Sequence, residues 1–188
     1  MEVKSVLKQT ITLLQKDELL ETTVFYGTVT PSTSEQKDID LLVFCLNNVL
    51  NMVATEYVPI LEEKEIVTLS GSFLTSVIGS NLLEIKKIED ESGLSHNFKL
   101  VGNNVETDKG ILTVTYSVLP EKIDITSTLS NLNGKISERI LSYGTATEFL
   151  FVTSEFNEAA IWENRFKSSL ETACRKTSEI KMPRRRWL

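Results

Sequence analysis

Lys135-Ile136-Ser137-Glu138-Arg139-Ile140-Leu141-Ser142-Tyr143-Gly144, running on through Thr147 and Leu150 to Phe151, decides how the rest of the chain is read. Ile136, Ile140, Tyr143, Thr147 and Leu150 recur at alternating four- and three-residue steps, with Leu141 and Phe151 flanking the stripe. That spacing predicts a helix with one apolar face. Gly144 sits inside it at a propensity cost of ~1 kcal/mol, which suits a place where another backbone comes close. Thr153-Ser154-Glu155 stops this helix and caps a second one, whose stripe is Phe156, Ala159, Trp162, Phe166, Leu170 and Ala173. Glu155 and Glu158 near its start, and Arg175 and Lys176 near its end, follow the order the helix macrodipole prefers. Two helices joined this tightly form an αα-hairpin. At this spacing Trp162, Phe166 and Leu170 read as core before they read as ligand contacts.

A hairpin needs a partner for its apolar face, and the first sixty residues supply one. Val3, Val6, Leu7, Ile11 and Leu14 predict a short amphipathic helix over 3–15. Ile39, Leu42, Val43, Leu46, Val49, Leu50 and Val53 predict a longer one over 35–57, capped by Ser34 and stopped by Pro59. Asn47, Asn48 and Asn51 mark its polar side as wet or partner-facing. Residues 18–33 hold a β-branched and aromatic run, Thr22 to Tyr26, broken by Gly27, and give no firm element.

Between the helical segments the apolar period changes to two. Glu65 to Leu69, Leu83 to Ile85 with Ile88, and Phe98 to Leu100 read as short strands, with a tight turn at Gly102-Asn103-Asn104. Gly110 to Val118 is the clearest strand: Leu112, Val114, Tyr116 and Val118 face one way, Ile111, Thr113, Thr115 and Ser117 the other. Hairpin-length turns imply antiparallel pairing, not βαβ units. The expected fold is therefore α+β. It has a helical bundle (N-terminal helix, long second helix, C-terminal helix pair), an inserted small antiparallel β-sheet or sandwich, and an extended C-terminal tail. The expected organisation is 1–60 for the N-terminal helices, 61–120 for the β lobe, 121–180 for the helix pair and 181–188 for the tail. Residues 121–134 are a polar link, part of which could form one helical turn.

Charge is unevenly spread. The chain of 188 residues carries a formal −6, yet from Arg165 onward there are eight Lys or Arg against two Asp or Glu. Residues 1–164 thus hold a net −12. An acidic body with a basic end disfavours a general nucleic-acid binder and fits one end docking on something acidic. Cys45 and Cys174 read as free thiols of a reducing compartment. No stretch approaches the ~18 consecutive apolar residues of a membrane span, and no secretory h-region opens the chain, so synthesis in the cytoplasm without membrane insertion is expected.

Chemistry is hard to find. His96 is the one histidine, in a loop beside Ser95 and Asn97, and nothing selects a nucleophile for it. Cys45, Cys174 and His96 do not make a zinc site. The clusters Glu62-Glu63-Lys64-Glu65 and Glu89-Asp90-Glu91 read as solvated turns before cation sites. No glycine-rich phosphate loop is present. The expectation is no enzyme, no metal, no cofactor and no catalytic residue. The tail differs: Lys181, Pro183, Arg184, Arg185, Arg186, Trp187 and Leu188 combine bidentate cations with large apolar side chains, the residue types of interface hot spots. They are the expected partner-docking residues.

The quoted stretch, its continuation to Glu148, then Glu158-Ala159-Ala160-Ile161-Trp162, Arg165-Phe166-Lys167 and Arg184-Arg185-Arg186-Trp187-Leu188 resemble the head–tail connector (adaptor) proteins of tailed bacteriophages. So do Asp38-Ile39-Asp40-Leu41-Leu42-Val43, and Val114-Thr115-Tyr116 before Leu119-Pro120, within the same order of elements. The resemblance covers most of the chain from about residue 35. The family includes the tail tubular ring proteins of podoviruses and the first connector ring of lambdoid siphoviruses. It implies a non-enzymatic virion protein at the head–tail junction that forms a ring, commonly of twelve copies. Such a ring joins the portal protein to other tail proteins, and DNA only passes through its channel. The family's C-terminal segment commonly reaches the portal, which here maps onto residues 181–188. An acidic body lining a channel would let DNA pass, where a basic one would hold it by counterion release. The alternative is a nucleic-acid-binding adaptor using Arg184, Arg185 and Arg186 on phosphates; a small enzyme built on His96 has least support.

Overall fold

The structure, a computed structural model, describes residues 1–130 and 134–175. It has an α+β fold: four helices and two small antiparallel sheets, the sheets inserted between the second and third helices. The helices are α1 (Val3–Leu13), α2 (Thr33–Met52), α3 (Glu138–Val152) and α4 (Phe156–Cys174). α3 is the centre of the bundle and packs against each of the other three. Its residues 140–147 are buried on every side, which goes beyond the single stripe that the periodicity implies. Small side chains make this possible. Ser142, Thr145 and Thr147 satisfy their hydroxyls on the carbonyls of Glu138, Leu141 and Tyr143, one turn back, so burial leaves no polar atom unpaired.

Gly144 is the tightest point. A Cβ there would come within 2.8 Å of both Phe166 on α4 and Val49 on α2. The close neighbours are thus side chains, not the second backbone expected from the glycine. One cluster of twenty buried residues unites the bundle, including Leu7, Ile11, Leu42, Leu46, Leu141, Phe149 and Phe166. Each such side chain contributes about 1.5–3 kcal/mol through apolar burial.

α2 begins two residues earlier than Ser34 would place it. Ser32 is the cap: its hydroxyl accepts from the Glu35 amide, and Glu35 returns to the Ser32 amide. Glu35 three residues on makes this capping box reciprocal, which Ser34 could not do. A π-helical turn, Val53–Tyr57, extends the helix. The span Thr33–Tyr57 is long and apolar enough to cross a membrane by length and composition, but its apolar stripe, Ile39 to Val53, lies inside the bundle core. Residues 17–25 form two short 3₁₀ turns, Asp17–Glu21 and Thr23–Phe25. Gly27 is required there, because a Cβ would overlap the Glu21 carbonyl.

The strands are β1 (Ile60–Thr68), β2 (Ser72–Leu74), β3 (Leu82–Asp90), β4 (Lys99–Val101), β5 (Asn104–Glu106) and β6 (Gly110–Val118). They form two three-stranded antiparallel sheets, β1-β6-β3 and β2-β5-β4. Leu112, Val114, Tyr116 and Val118 of β6 all point into the core they share with Ile66, Ile85, Ile88, Phe73 and Val105. β1 starts five residues before the expected Glu65, and Leu69 lies outside it, 88% exposed. β1 runs in regular register along all of β6, whereas β3 carries two register shifts.

Residues 121–130 contain no helical turn. They run alongside the bundle, tied by Asn47, whose side-chain amide donates to the Ile123 carbonyl (3.1 Å) and accepts from its amide (2.9 Å). Val3 N–H donates to Ser127 O, and Leu129 N–H to Met1 O. Asn47 is therefore an internal clamp and not part of a partner-facing surface. In α4, Ala159, Phe166 and Leu170 are buried as expected, but Phe156 is exposed, its ring 6.3 Å from that of Phe151 across the hairpin turn. It occupies the first helical position, where the hairpin has already turned away from the core.

Candidate interaction surfaces

His96 is more than an ordinary loop residue. Asp90 ends β3, and its Oδ1 gathers the following turn by accepting from Ser92 N–H (2.9 Å), Ser92 Oγ–H (2.6 Å) and Leu94 N–H (3.0 Å). The turn returns the chain so that His96 N–H donates to Ile88 O. The ring then lies between two carboxylates: Nδ1 is 2.7 Å from Asp108 and Nε2 is 3.2 Å from Asp90. Asp108, with Asp90 second, favours the charged form of the imidazole and raises its pKa above the ordinary value. Asp90 falls to about 2, chiefly through the Ser92 hydroxyl and the Leu94 amide. With both ring nitrogens engaged, His96 has none left to activate a nucleophile. Sequence gives no sign of Asp108, which lies twelve residues away in the β5–β6 turn, beyond the β4–β5 hairpin.

Other reactive groups are spent internally. Cys45 is buried in the bundle, and burial, with the Glu148 charge second, pushes its thiol up to about 12, far from a reactive thiolate. No group of three or more His, Cys, Asp or Glu among the described residues is placed to hold a metal ion. None of their buried side-chain nitrogens or oxygens lacks a hydrogen bond.

What remains is surface. Nineteen large apolar side chains are exposed among the described residues, and twelve lie in residues 60–119. Along β1, Leu61, Glu63, Glu65 and Val67 share the outward face, and Val67 pairs with the exposed Ile111 on β6. β1 is an edge strand of its sheet. Lys64 is drawn inward, donating to the carbonyls of Val77 (2.7 Å) and Ile78 (3.1 Å). Across the molecule, Tyr26 is 72% exposed, in a left-handed backbone conformation (φ 72°). Lys4 and Lys8 lie over its ring at 4.3 and 4.8 Å. A cleft of about 190 Å³ separates the two lobes, lined by Leu50, Ile60, Glu62, Val118, Leu119 and Ile123 among others.

The expected docking residues Lys181, Pro183, Arg184, Arg185, Arg186, Trp187 and Leu188 lie outside the described residues. No protein-family model matches the chain, and no curated protein is similar to it in sequence.

Proposed function

We propose that this chain is a structural subunit of a virion, a head–tail connector (adaptor) ring that joins the portal to the tail and through which DNA passes. The observation that carries the reading is the surface of the β lobe. Residues 60–119 expose twelve large apolar side chains against ten buried in their core. A lobe with that ratio is made to be covered by other protein surfaces. The net −12 over residues 1–164 suits a channel wall that does not grip DNA, and so disfavours the nucleic-acid-binding alternative. The resemblance set out above supplies the partner, the portal.

The test is mass measurement of the full chain, alone and mixed with its portal. Stoichiometric binding of several copies to the portal ring is the expected result. Removal of residues 181–188 should abolish attachment while leaving the folded body unchanged by circular dichroism. Attachment that survives this truncation would overturn the docking role of the tail, and absence of any portal binding would overturn the connector reading.

A further inference from the structure

We infer that the acidic edge strand β1 of one copy docks on the Lys4–Lys8–Tyr26 patch of a second copy of this chain. The inference rests on the ring reading and supplies its contact. Glu62, Glu63 and Glu65 are exposed on β1, and no Lys or Arg among the described residues forms an ion pair with them. Glu62 accepts only from the Tyr116 hydroxyl and Glu63 only from Thr115. The one cation of the strand, Lys64, is turned away onto two backbone carbonyls. The outward face thus presents two carboxylates, Glu63 and Glu65, between Leu61 and Val67, with Glu62 exposed on the opposite face beside Tyr116.

The opposite set lies on α1. Among the described residues Lys4 and Lys8 have no carboxylate in an ion pair with them; they flank the exposed Tyr26 ring, with exposed Val29 on the same loop. Elsewhere the chain does pair its charges, as in Lys16–Asp38 and Lys167–Glu163. Within one molecule the two patches do not meet. Residues 127 and 128 run between them, lining the cleft beside Glu62 on one side and the hollow beside Lys4 and Tyr26 on the other.

Pairing β1 with the β1 of another copy would set its carboxylates against the same carboxylates of the neighbour, which is how edge strands are kept from self-association. Pairing it with Lys4, Lys8 and Tyr26 satisfies both charges and covers Leu61 against an aromatic face. The contact joins two different surfaces, so it is heterologous, the kind that closes rings.

Two full-length variants test it, Lys4→Glu with Lys8→Glu, and Glu63→Lys with Glu65→Lys; Glu62 stays because it holds Tyr116. Each alone should weaken self-association by at least about tenfold in sedimentation, and an equimolar mixture should return to within about threefold of the original chain. Carbodiimide coupling of isotopically mixed copies should link Lys4 or Lys8 of one copy to Glu63 or Glu65 of another. A mixture that associates no better than its components, or such links found only within single copies, overturns the pairing. Oligomers that persist undiminished in both variants overturn the pairing alone and leave the ring reading standing. If the unaltered chain forms no oligomer at any concentration, with or without portal, both fall.

Discussion

The bundle and the β lobe carry apolar residues at similar density but use them to different ends. In the bundle a single cluster buries twenty residues and only seven large apolar side chains are exposed; in the β lobe ten are buried and twelve exposed, among the described residues. Helices wrapped around α3 can cover both flanks of every stripe. Two three-stranded sheets have only one inner face each, and their outer faces and edges stay open. The difference is one of coverage: the bundle covers most of its apolar surface within one chain, whereas the lobe leaves more of it open, which is where the proposed ring would place neighbours.

The largest expected effect comes from attacking the finished part. Phe149→Ala empties a fully buried ring site and should cost about 3–5 kcal/mol in chemical denaturation. A loss under 1 kcal/mol would break the contrast. Gly144→Ala should cost about 1–3 kcal/mol, because its methyl must displace both Phe166 and Val49. A neutral result would show that the packing there yields.

His96 sharpens the contrast from the polar side. Its raised pKa means that the carboxylate clamp is fully present below the ordinary value of 6.5 and is lost as pH rises through the folded value. Asp90 works in the opposite sense: its contribution is present above 3.8 and lost as pH falls through about 2. NMR titration of this single histidine should give a midpoint above 6.5, and amide protection in residues 91–98, taken relative to intrinsic exchange, should fall as pH climbs past that midpoint. That fall should be absent in His96→Ala. A midpoint at or below 6.5 would contradict the clamp.

The smallest folding effect is expected on the open face. Val67→Ser with Leu69→Ser should shift stability by less than about 0.5 kcal/mol per site, while reducing association measured by sedimentation. A large loss of stability would mean that the face is already covered within one chain.

Periodicity carried most of the fold. The stripes of α1, α2 and α3 and the alternation of β6 could be read directly, because each element buries one face against a partner that sequence need not identify. Errors fell where neighbours decide the outcome. Ser32 prevailed over Ser34 because capping depends on what stands three residues on. Phe156 fits the stripe yet sits past the core's edge. Asn47 looked solvent-facing until the 121–130 segment was laid beside it. The surfaces were less legible still: Lys4, Lys8 and Tyr26 are gathered by a 3₁₀ turn that no pattern announces, and Asp108 reaches His96 only through a β-turn.

Inserting the lobe between α2 and α3 also sets an order of events on the ribosome. α1 and α2 emerge first, yet their apolar stripes have nothing to close on until α3 is made. The β lobe, whose strands all lie between Ile60 and Val118, is complete by residue 119 and is expected to fold while the helices wait. Ribosome-bound chains halted near residue 130, with enough linker to clear the exit tunnel, should resist protease at β6 and be cut in α2. The part with the larger buried core is thus expected to form last, and during that delay the apolar stripe between Ile39 and Val53 is expected to stay uncovered.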